Sequence, residues 1–312
     1  MTGYYERRWS MAARWCERLA LISIPYLLLA ILLHRFARVT TPQLYWLLFF
    51  GLLMLLVSLA LGVKALLDLW NLGNRGGKAT IRGVMLSLLM LLPFLWQGWL
   101  AIDNPRLADV STNPFDPPQY VEAARLREAG RGQGMNAFAE YDPDYSDRIL
   151  IDYPRIGSRR YNAGAERILS AVRDLVADRR WKVLAERGLP STAEASDANA
   201  EASGDGSAAK AEAGLPKVTS AKPKRKEKPG ADAAIADAGN PLDIEIEAEA
   251  ASMIFGFRHD IIIKIQSEEE ATLVDMRSAS RFGAHDFGSN AAIIEDFLAD
   301  LDTALLGIAG EG

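Results

Sequence analysis

The first third of the chain is dominated by long segments without a charged residue. Val39–Val63 contains 25 such residues and Gly83–Ile102 contains 20. Because the core of a bilayer is ~30 Å thick and takes ~20 helical residues, both segments are long enough to cross it. Leu19–Leu33 has only 15 uncharged residues, but Arg18 and Arg35 at its ends can extend toward the headgroups. The pattern predicts three transmembrane helices, at about residues 17–36, 42–64 and 82–102.

An alternative for the first segment is a cleaved signal peptide, since a basic start and a short apolar run are typical of one. The residues that follow, His34-Arg35-Phe36, offer no small-residue cleavage site. The interiors of the spans contain no Asp, Glu, Lys, Arg or His, and ion transport usually needs such groups within the membrane. We expect the three helices to serve as an anchor and a packing unit.

Lys and Arg residues predict the orientation of the helices, because they concentrate on the cytoplasmic side. Eight lie on the side of the membrane on which the N-terminus is predicted: Arg7, Arg8, Arg14, Arg18, Lys64, Arg75, Lys78 and Arg82. Three lie on the other side: Arg35, Arg38 and Arg106. We therefore expect a bacterial inner-membrane protein with a cytoplasmic N-terminus and a periplasmic C-terminal domain.

The more polar remainder of the chain shows both helical and strand periodicity. Four prolines between residues 104 and 120 predict an extended connector over 104–147, with a short helix at Val121–Ala129. Apolar spacing then predicts a strand at Arg148–Tyr153, a helix at Ala165–Val176, a strand at Trp181–Ala185, three strands after residue 241 and a helix at Ala292–Leu305. Residues 148–188 and 241–307 should form an α+β domain in which helices pack on one face of an antiparallel sheet.

Residues 189–240 interrupt this domain. They are rich in Ala and Lys and poor in large apolar side chains, so they cannot bury enough surface to offset their ordering entropy, and we expect disorder. They include a basic group: Lys222, Lys224, Arg225, Lys226 and Lys228. This group could bind anionic lipid or cell-wall polymer, or it could belong to a solvated linker.

Strict alternation marks the strand that follows the insert. Four apolar residues (Ile244, Ile246, Ala248 and Ala250) alternate with four acids (Asp243, Glu245, Glu247 and Glu249). Since successive side chains of a strand point to opposite faces, the acids should share one face. That face is either solvated, as is common in antiparallel sheets, or able to bind a cation.

Charge and cysteine content exclude several classes of protein. The net charge is −5, the pI is about 5.4 and no basic stripe runs through a folded segment, so nucleic acid is not expected as a partner. Cys16 is the single cysteine and cannot form an internal disulfide. With three histidines in the chain, a Cys/His zinc cluster is not expected either, and the sequence implies no cofactor.

One segment carries a specific motif. Residues 277–290, between the last predicted strand and the last helix, read RSASRFGAHDFGSN. The segment resembles the signature of domain of unknown function 1499, a bacterial and plastid family whose pattern is roughly R-S-A-S-R-x-G-x-x-D-x-G-x-N. Upstream, Phe255–Asp260 resembles the family's F-x-F-x-D-D step, with His259 in place of the first acid. The resemblance covers about Arg148 to Leu305 without the insert and implies a fold unit but no activity.

The arginines of this motif suggest two kinds of chemistry. Arg277 and Arg281 need acidic partners, for which Asp260 and Asp286 are candidates, so they could form a buried lattice that fixes the loop to the sheet. The same arginines could instead hold a phosphate or carboxylate, together with backbone N–H groups at the start of the last helix.

Other motif residues suit local structural roles. Gly283 and Gly288 suit turns with positive φ, and Asp286, Ser289 or Asn290 could cap the last helix.

Catalytic interpretations of the motif are weaker. His259-Asp260 and His285-Asp286 could supply metal ligands or acid–base groups if their loops met. Ser278 or Ser280 could be a nucleophile, although no nucleophile-elbow pattern surrounds either.

The favoured hypothesis is a periplasmic binding domain in envelope organisation or lipid-associated assembly. The alternative is a membrane-anchored hydrolase or ligand-processing enzyme that uses Arg277, Arg281, Asp260, His285 and Asp286.

Overall fold

The computed structural model describes residues 8–188, 243–269 and 271–308, and the predicted insert at 189–240 lies outside them. Within these ranges seven α-helices are present: α1 (Met11–Arg35), α2 (Thr41–Leu72), α3 (Gly77–Asp103), α4 (Glu122–Ala129), α5 (Pro143–Asp152), α6 (Ala165–Asp178) and α7 (Ser289–Ile308). The same ranges contain six strands: β1 (Asp109–Ser111), β2 (Arg159–Tyr161), β3 (Lys182–Arg187), β4 (Asp243–Ala251), β5 (Arg258–Ser267) and β6 (Thr272–Ser280).

The first three helices are long and apolar enough to cross a membrane, and they overlap the three segments predicted to do so. They pack against one another through small and hydroxyl-bearing side chains, as helices in lipid commonly do. The Ser87 hydroxyl donates to Ser58 Oγ at 2.8 Å, and Ser58 donates to the carbonyl oxygen of Cys16 at 2.9 Å. A Cβ on Gly83 would lie 2.6 Å from Cys16 Sγ, so α1 and α3 approach closely at this point.

The strand predicted at Arg148–Tyr153 is wrong, because these residues mostly belong to α5. Asp142 caps this helix by accepting a hydrogen bond from the Tyr145 N–H at 2.8 Å. Pro143 lies in the first turn, where a missing N–H breaks no helical hydrogen bond. The apolar run Ile149-Leu150-Ile151 suits either element, and the cap upstream decides between them.

Residues 104–147 also differ from the extended connector that the prolines predicted. They contain β1, α4, a 3₁₀ turn at Arg131–Gln133 and the beginning of α5. The four prolines fall between residues 105 and 118, which leaves β1 and the proline-free α4 segment able to form. The helices expected at Val121–Ala129, Ala165–Val176 and Ala292–Leu305 correspond to α4, α6 and α7.

All six described strands form one antiparallel sheet in the order β1-β6-β5-β4-β3, and β2 also pairs with β6. β1 and β2 lie beside different halves of β6, since Val110 is opposite Ser278 and Arg160 is opposite Leu273. The expected α+β architecture, with three apolar helices preceding an antiparallel sheet, is therefore confirmed.

Helices cover the two faces of the sheet unequally. The first face carries the main apolar core, which α6 and α7 complete with side chains that include Ile168, Val172, Ile294 and Phe297. The second face is covered near its centre by α4 and by the stacked rings of Tyr120 and Phe138. Helices and loops thus lie on both faces, and the second face is the more polar.

The acids of β4 lie on this second face, and two of them are buried rather than solvated. Glu247 is 0% exposed and Glu249 is 8% exposed. The Glu247 carboxylate accepts the N–H groups of Val121 and Ala123 at 2.8 Å each, so it caps the start of α4. Burial by itself would raise the pKa of Glu247, but the backbone donors and Arg187 outweigh it and lower the pKa. The expectation of a solvated face is wrong here because the segment after β1 folds back over it.

Candidate functional site

Strand pleating divides the motif between the two faces of the sheet. β6 continues to Ser280, so the first four motif residues are part of a strand rather than a loop. Arg277, Ala279 and Arg281 point to the second face, while Ser278 and Ser280 point to the first face beneath α7. The motif therefore contributes to two separate polar networks.

The first network pairs Arg277 with Asp109 of β1. Arg277 Nε donates to Asp109 Oδ1 at 2.9 Å and Nη2 donates to Oδ2 at 2.8 Å, and both side chains are buried. Three aromatic rings surround the guanidinium: Tyr120, Phe138 and Tyr141. Burial by itself would lower the pKa of Arg277, but the hydrogen bonds and charge of Asp109 raise it. This arginine is charged and fully paired within the protein.

A second group of charged side chains on the same face of the sheet surrounds Asp260. Arg281 donates to Asp260 Oδ1 from Nη2 at 2.6 Å, and Arg127 of α4 donates to Oδ2 from Nε at 2.7 Å. Glu249 accepts a second contact from Arg281, at 2.7 Å, and also pairs with Arg258. Three arginines thus share two carboxylates.

The serines of the motif join a buried network on the first face. The Asn290 amide oxygen accepts from the Ser278 hydroxyl at 2.8 Å and from His259 Nδ1–H at 2.9 Å, an assignment inferred from the surrounding hydrogen bonds. The Asn290 amide nitrogen donates to Ser280 Oγ and to the carbonyl oxygen of Ala108. Burial lowers the pKa of His259, so the imidazole is neutral at pH 7. Ser280 and His259 are in contact but are shielded from solvent.

The glycines and Asp286 build the turn that leads into α7. Gly283 has φ +90° and Gly288 has φ +78°, as expected. Asp286 accepts the N–H groups of Gly288 at 3.0 Å and of Asn290 at 2.8 Å, so it caps the helix. Burial raises the pKa of Asp286. The expectation that Asp286 pairs with an arginine is wrong, because its oxygens serve the helix N-terminus instead.

The two histidines considered as metal ligands are not brought together. His285 donates from Nε2 to the carbonyl oxygen of Ala101 in α3 at 3.1 Å, whereas His259 lies under α7. In the described part of the chain, no three His, Cys, Asp or Glu side chains are grouped so that they could hold a metal ion. The five residues of the hydrolase hypothesis are likewise separated. Arg277, Arg281 and Asp260 form ion pairs on the second face. Asp286 caps α7, and His285 contacts α3.

A third histidine, His34, joins the domain to the membrane helices. It lies at the end of α1 and donates from Nδ1 to the carbonyl oxygen of Phe255 at 2.6 Å. Its Nε2 accepts from the Thr41 hydroxyl at 3.0 Å, and its ring contacts that of Phe257. The turn between β4 and β5 (residues 252–257) therefore packs on the turn between α1 and α2 (residues 36–40).

Sequence reasoning missed several partners of the motif arginines. Asp109 is 168 residues from Arg277, and Arg127 lies 133 residues from Asp260 in a helix of the supposed connector. No local pattern marks either residue. Glu249 was visible as one of the alternating acids, but nothing in the alternation identified what would cover it.

Comparison with known proteins supports the resemblance seen in the motif. The model of the family described as protein of unknown function (DUF1499) matches residues 109–301, which is more than half of the chain. The match begins at β1, upstream of Arg148, and so includes Asp109 and α4. No curated protein and no solved structure matches the chain. The chain belongs to the DUF1499 family.

Proposed function

We propose that this protein is a membrane-anchored binding module that acts without catalysis at the outer face of a bacterial inner membrane, in envelope organisation or lipid-associated assembly. The observation that carries the proposal is that both motif arginines are buried and paired with carboxylates of the same chain, while the domain packs on the ends of its own membrane helices. A buried, saturated guanidinium serves structure more readily than chemistry.

The periplasmic location rests on charge. The turn that contacts the domain lies on the side that carries three Lys or Arg residues, against eight on the other side. Because positive residues concentrate in the cytoplasm, this difference supports a domain outside the inner membrane.

The alternative hydrolase would need reactive groups that converge in an open site. Ser280 touches His259, but both are less than 6% exposed, and Arg277, His285 and Asp286 are engaged elsewhere. This separation supports binding over catalysis.

We also propose that the basic group at Lys222–Lys228 tethers the protein to anionic lipid or cell-wall polymer. This group lies outside the described residues.

Reporter fusions test the location. Alkaline phosphatase, which is active only outside the cytoplasm, is fused after the last residue of the full chain, and a green fluorescent protein fusion at the same position serves as the matched control. We expect an active phosphatase and a dark fluorescent protein. The reverse result would overturn the orientation.

Assays of ester and phosphoester hydrolysis test the absence of catalysis. The purified full chain is compared with Ser280→Ala, which removes the hydroxyl closest to His259. We expect neither protein to hydrolyse these substrates. Hydrolysis that disappears in Ser280→Ala would establish the alternative function.

A further inference from the structure

A half-open cavity of about 300 Å³ lies where the soluble domain meets the membrane helices. One wall is the turn between α1 and α2, and the other is formed by the β4–β5 turn and the end of β6. The lining side chains include Arg35, Arg38, Thr41, Gln133, Arg258 and Arg281. Since α1 ends and α2 begins here, the cavity lies at the level of the lipid headgroups if these helices span the bilayer.

The cavity is strongly cationic. Four arginines line it, and none of its described lining residues is acidic. Arg35 and Arg38 are exposed and have no carboxylate partner among residues 8–188, 243–269 and 271–308. The arginines behind them, including Arg127, share only Glu249 and Asp260, so five positive and two negative charges leave a local excess of three.

The position of Arg35 is fixed by the docking of the two turns. Gly256 has φ +74°, and a Cβ at this position would lie 3.4 Å from Arg35 Cα. His34, the preceding residue, is held by hydrogen bonds to Phe255 and Thr41. The two walls of the cavity are therefore held at a fixed distance from each other. The backbone at Arg35 lies close to the turn that leads into Arg258.

The surroundings of Arg258 show that the positive charge is only partly compensated. The pKa of its guanidinium is lowered, first by burial and then by repulsion from Arg281. Glu249 is shared between these two arginines and cannot neutralise both. An anion in the cavity would relieve this repulsion.

We propose that this cavity binds the phosphate group of an anionic phospholipid, an inference that rests on the proposed function and gives its binding module a ligand. Guanidiniums are suited to phosphate because their parallel N–H groups match two of its oxygens. Arg35 and Arg38 supply the donors that are free, while Arg258 extends from the opposite wall. The excess of positive charge favours an anionic headgroup over a zwitterionic one.

Lipid retention tests the site. The full chain is reconstituted in nanodiscs of mixed phosphatidylglycerol and phosphatidylcholine and extracted into detergent, and the lipid that remains bound is quantified by mass spectrometry. We expect phosphatidylglycerol to be retained and Arg35→Gln/Arg38→Gln to retain about tenfold less, as the loss of charge-assisted hydrogen bonds implies. Arg38→Gln alone, in a turn outside both helices, is a milder variant that should show a smaller loss.

The matched control is Arg148→Gln/Arg155→Gln, which removes the same charge from two exposed arginines of the soluble domain that do not line the cavity. It should retain phosphatidylglycerol as the wild type does. Equal retention by Arg35→Gln/Arg38→Gln, or equal retention of phosphatidylcholine by the wild type, would overturn the proposal.

Inorganic phosphate distinguishes the source of the anion. Displacement of the retained lipid by excess phosphate would support recognition through the phosphate group. Binding of phosphate by a protein that retains no phosphatidylglycerol would overturn the lipid as the ligand. Because nanodiscs expose both bilayer faces, this result is independent of orientation, and a failed reporter test would leave it standing.

Discussion

Asp109 accepts two parallel hydrogen bonds from Arg277, at 2.9 and 2.8 Å, across 168 residues of sequence. Asp109 lies in β1, which begins six residues after the end of α3, whereas Arg277 lies in β6 at the far end of the chain. The pair therefore links the segment that follows α3 to one of the inner strands of the sheet.

The first prediction concerns this pair. Asp109→Asn should lower stability by about 3 kcal/mol and the apparent Tm by roughly 6–12 °C, because it leaves a buried guanidinium without a counter-charge. Thermal unfolding of the purified chain measures the effect. Asp116→Asn, at an exposed aspartate of the same segment, should leave Tm unchanged. Equal Tm values for the two variants would show that the pair does not stabilise the domain.

A second prediction concerns Arg281. Arg281→Ala removes one of the two arginines that hold Asp260, so unfolding should occur at lower temperature. The loss should be about 2–3 kcal/mol, below that of a fully broken pair, because Arg127 remains. Arg155→Ala, at an exposed site, is the control and should match the wild type. A stable Arg281→Ala variant would contradict a structural role.

The third prediction is a dependence on pH. Burial depresses the pKa of His259 below 6.5, although the hydrogen bond to Asn290 and the charges of Asp286 and Asp260 oppose this, and Arg127 adds to it. Below pH 6.5 the unfolded chain binds a proton that the folded chain resists, so stability is full above this pH and falls as the pH drops. The loss is at most about 1.4 kcal/mol per pH unit.

His259→Gln should remove this part of the dependence, since glutamine cannot titrate. The measurement is the difference in Tm between wild type and variant at pH 7.5 and at pH 5.5. These two pH values lie about one unit above and below the ordinary pKa of histidine. The other residues are the same in both proteins, so the comparison isolates His259 if the fold is kept. A difference that does not change with pH would refute the prediction.

The fourth prediction concerns helix packing in the membrane. A Cβ on Gly83 would lie 2.8 Å from the backbone nitrogen of Glu17, so Gly83→Ala must push α1 and α3 apart. We expect a loss of about 1–3 kcal/mol. Gly98→Ala, in the same helix, is the matched control, because apart from the adjoining backbone of α3 no described atom lies within 4 Å of its Cβ. Unfolding in detergent should separate the two variants, and identical curves would count against close packing of the helices.

Sequence reasoning succeeded where the signal is local. Long uncharged runs found the membrane helices, and alternation found β4, because both depend on residues close together in the chain. It failed at Arg148–Tyr153, where a short apolar run fits two elements. It named Asp260 among the candidate partners of the motif arginines, and Arg281 does pair with it. It could not find Asp109, because tertiary pairing across many residues leaves no periodic trace.

The direction of the sheet has a practical consequence. The β4–β5 turn touches the end of α1, so the opposite end of β4, at Asp243, lies roughly 27 Å from this contact at ~3.4 Å per residue. β3 ends beside it, since Arg187 pairs with Glu245. β3 ends and β4 begins at the end of these strands that is far from α1, so a fluorophore or epitope inserted between them should leave the arginine cavity undisturbed.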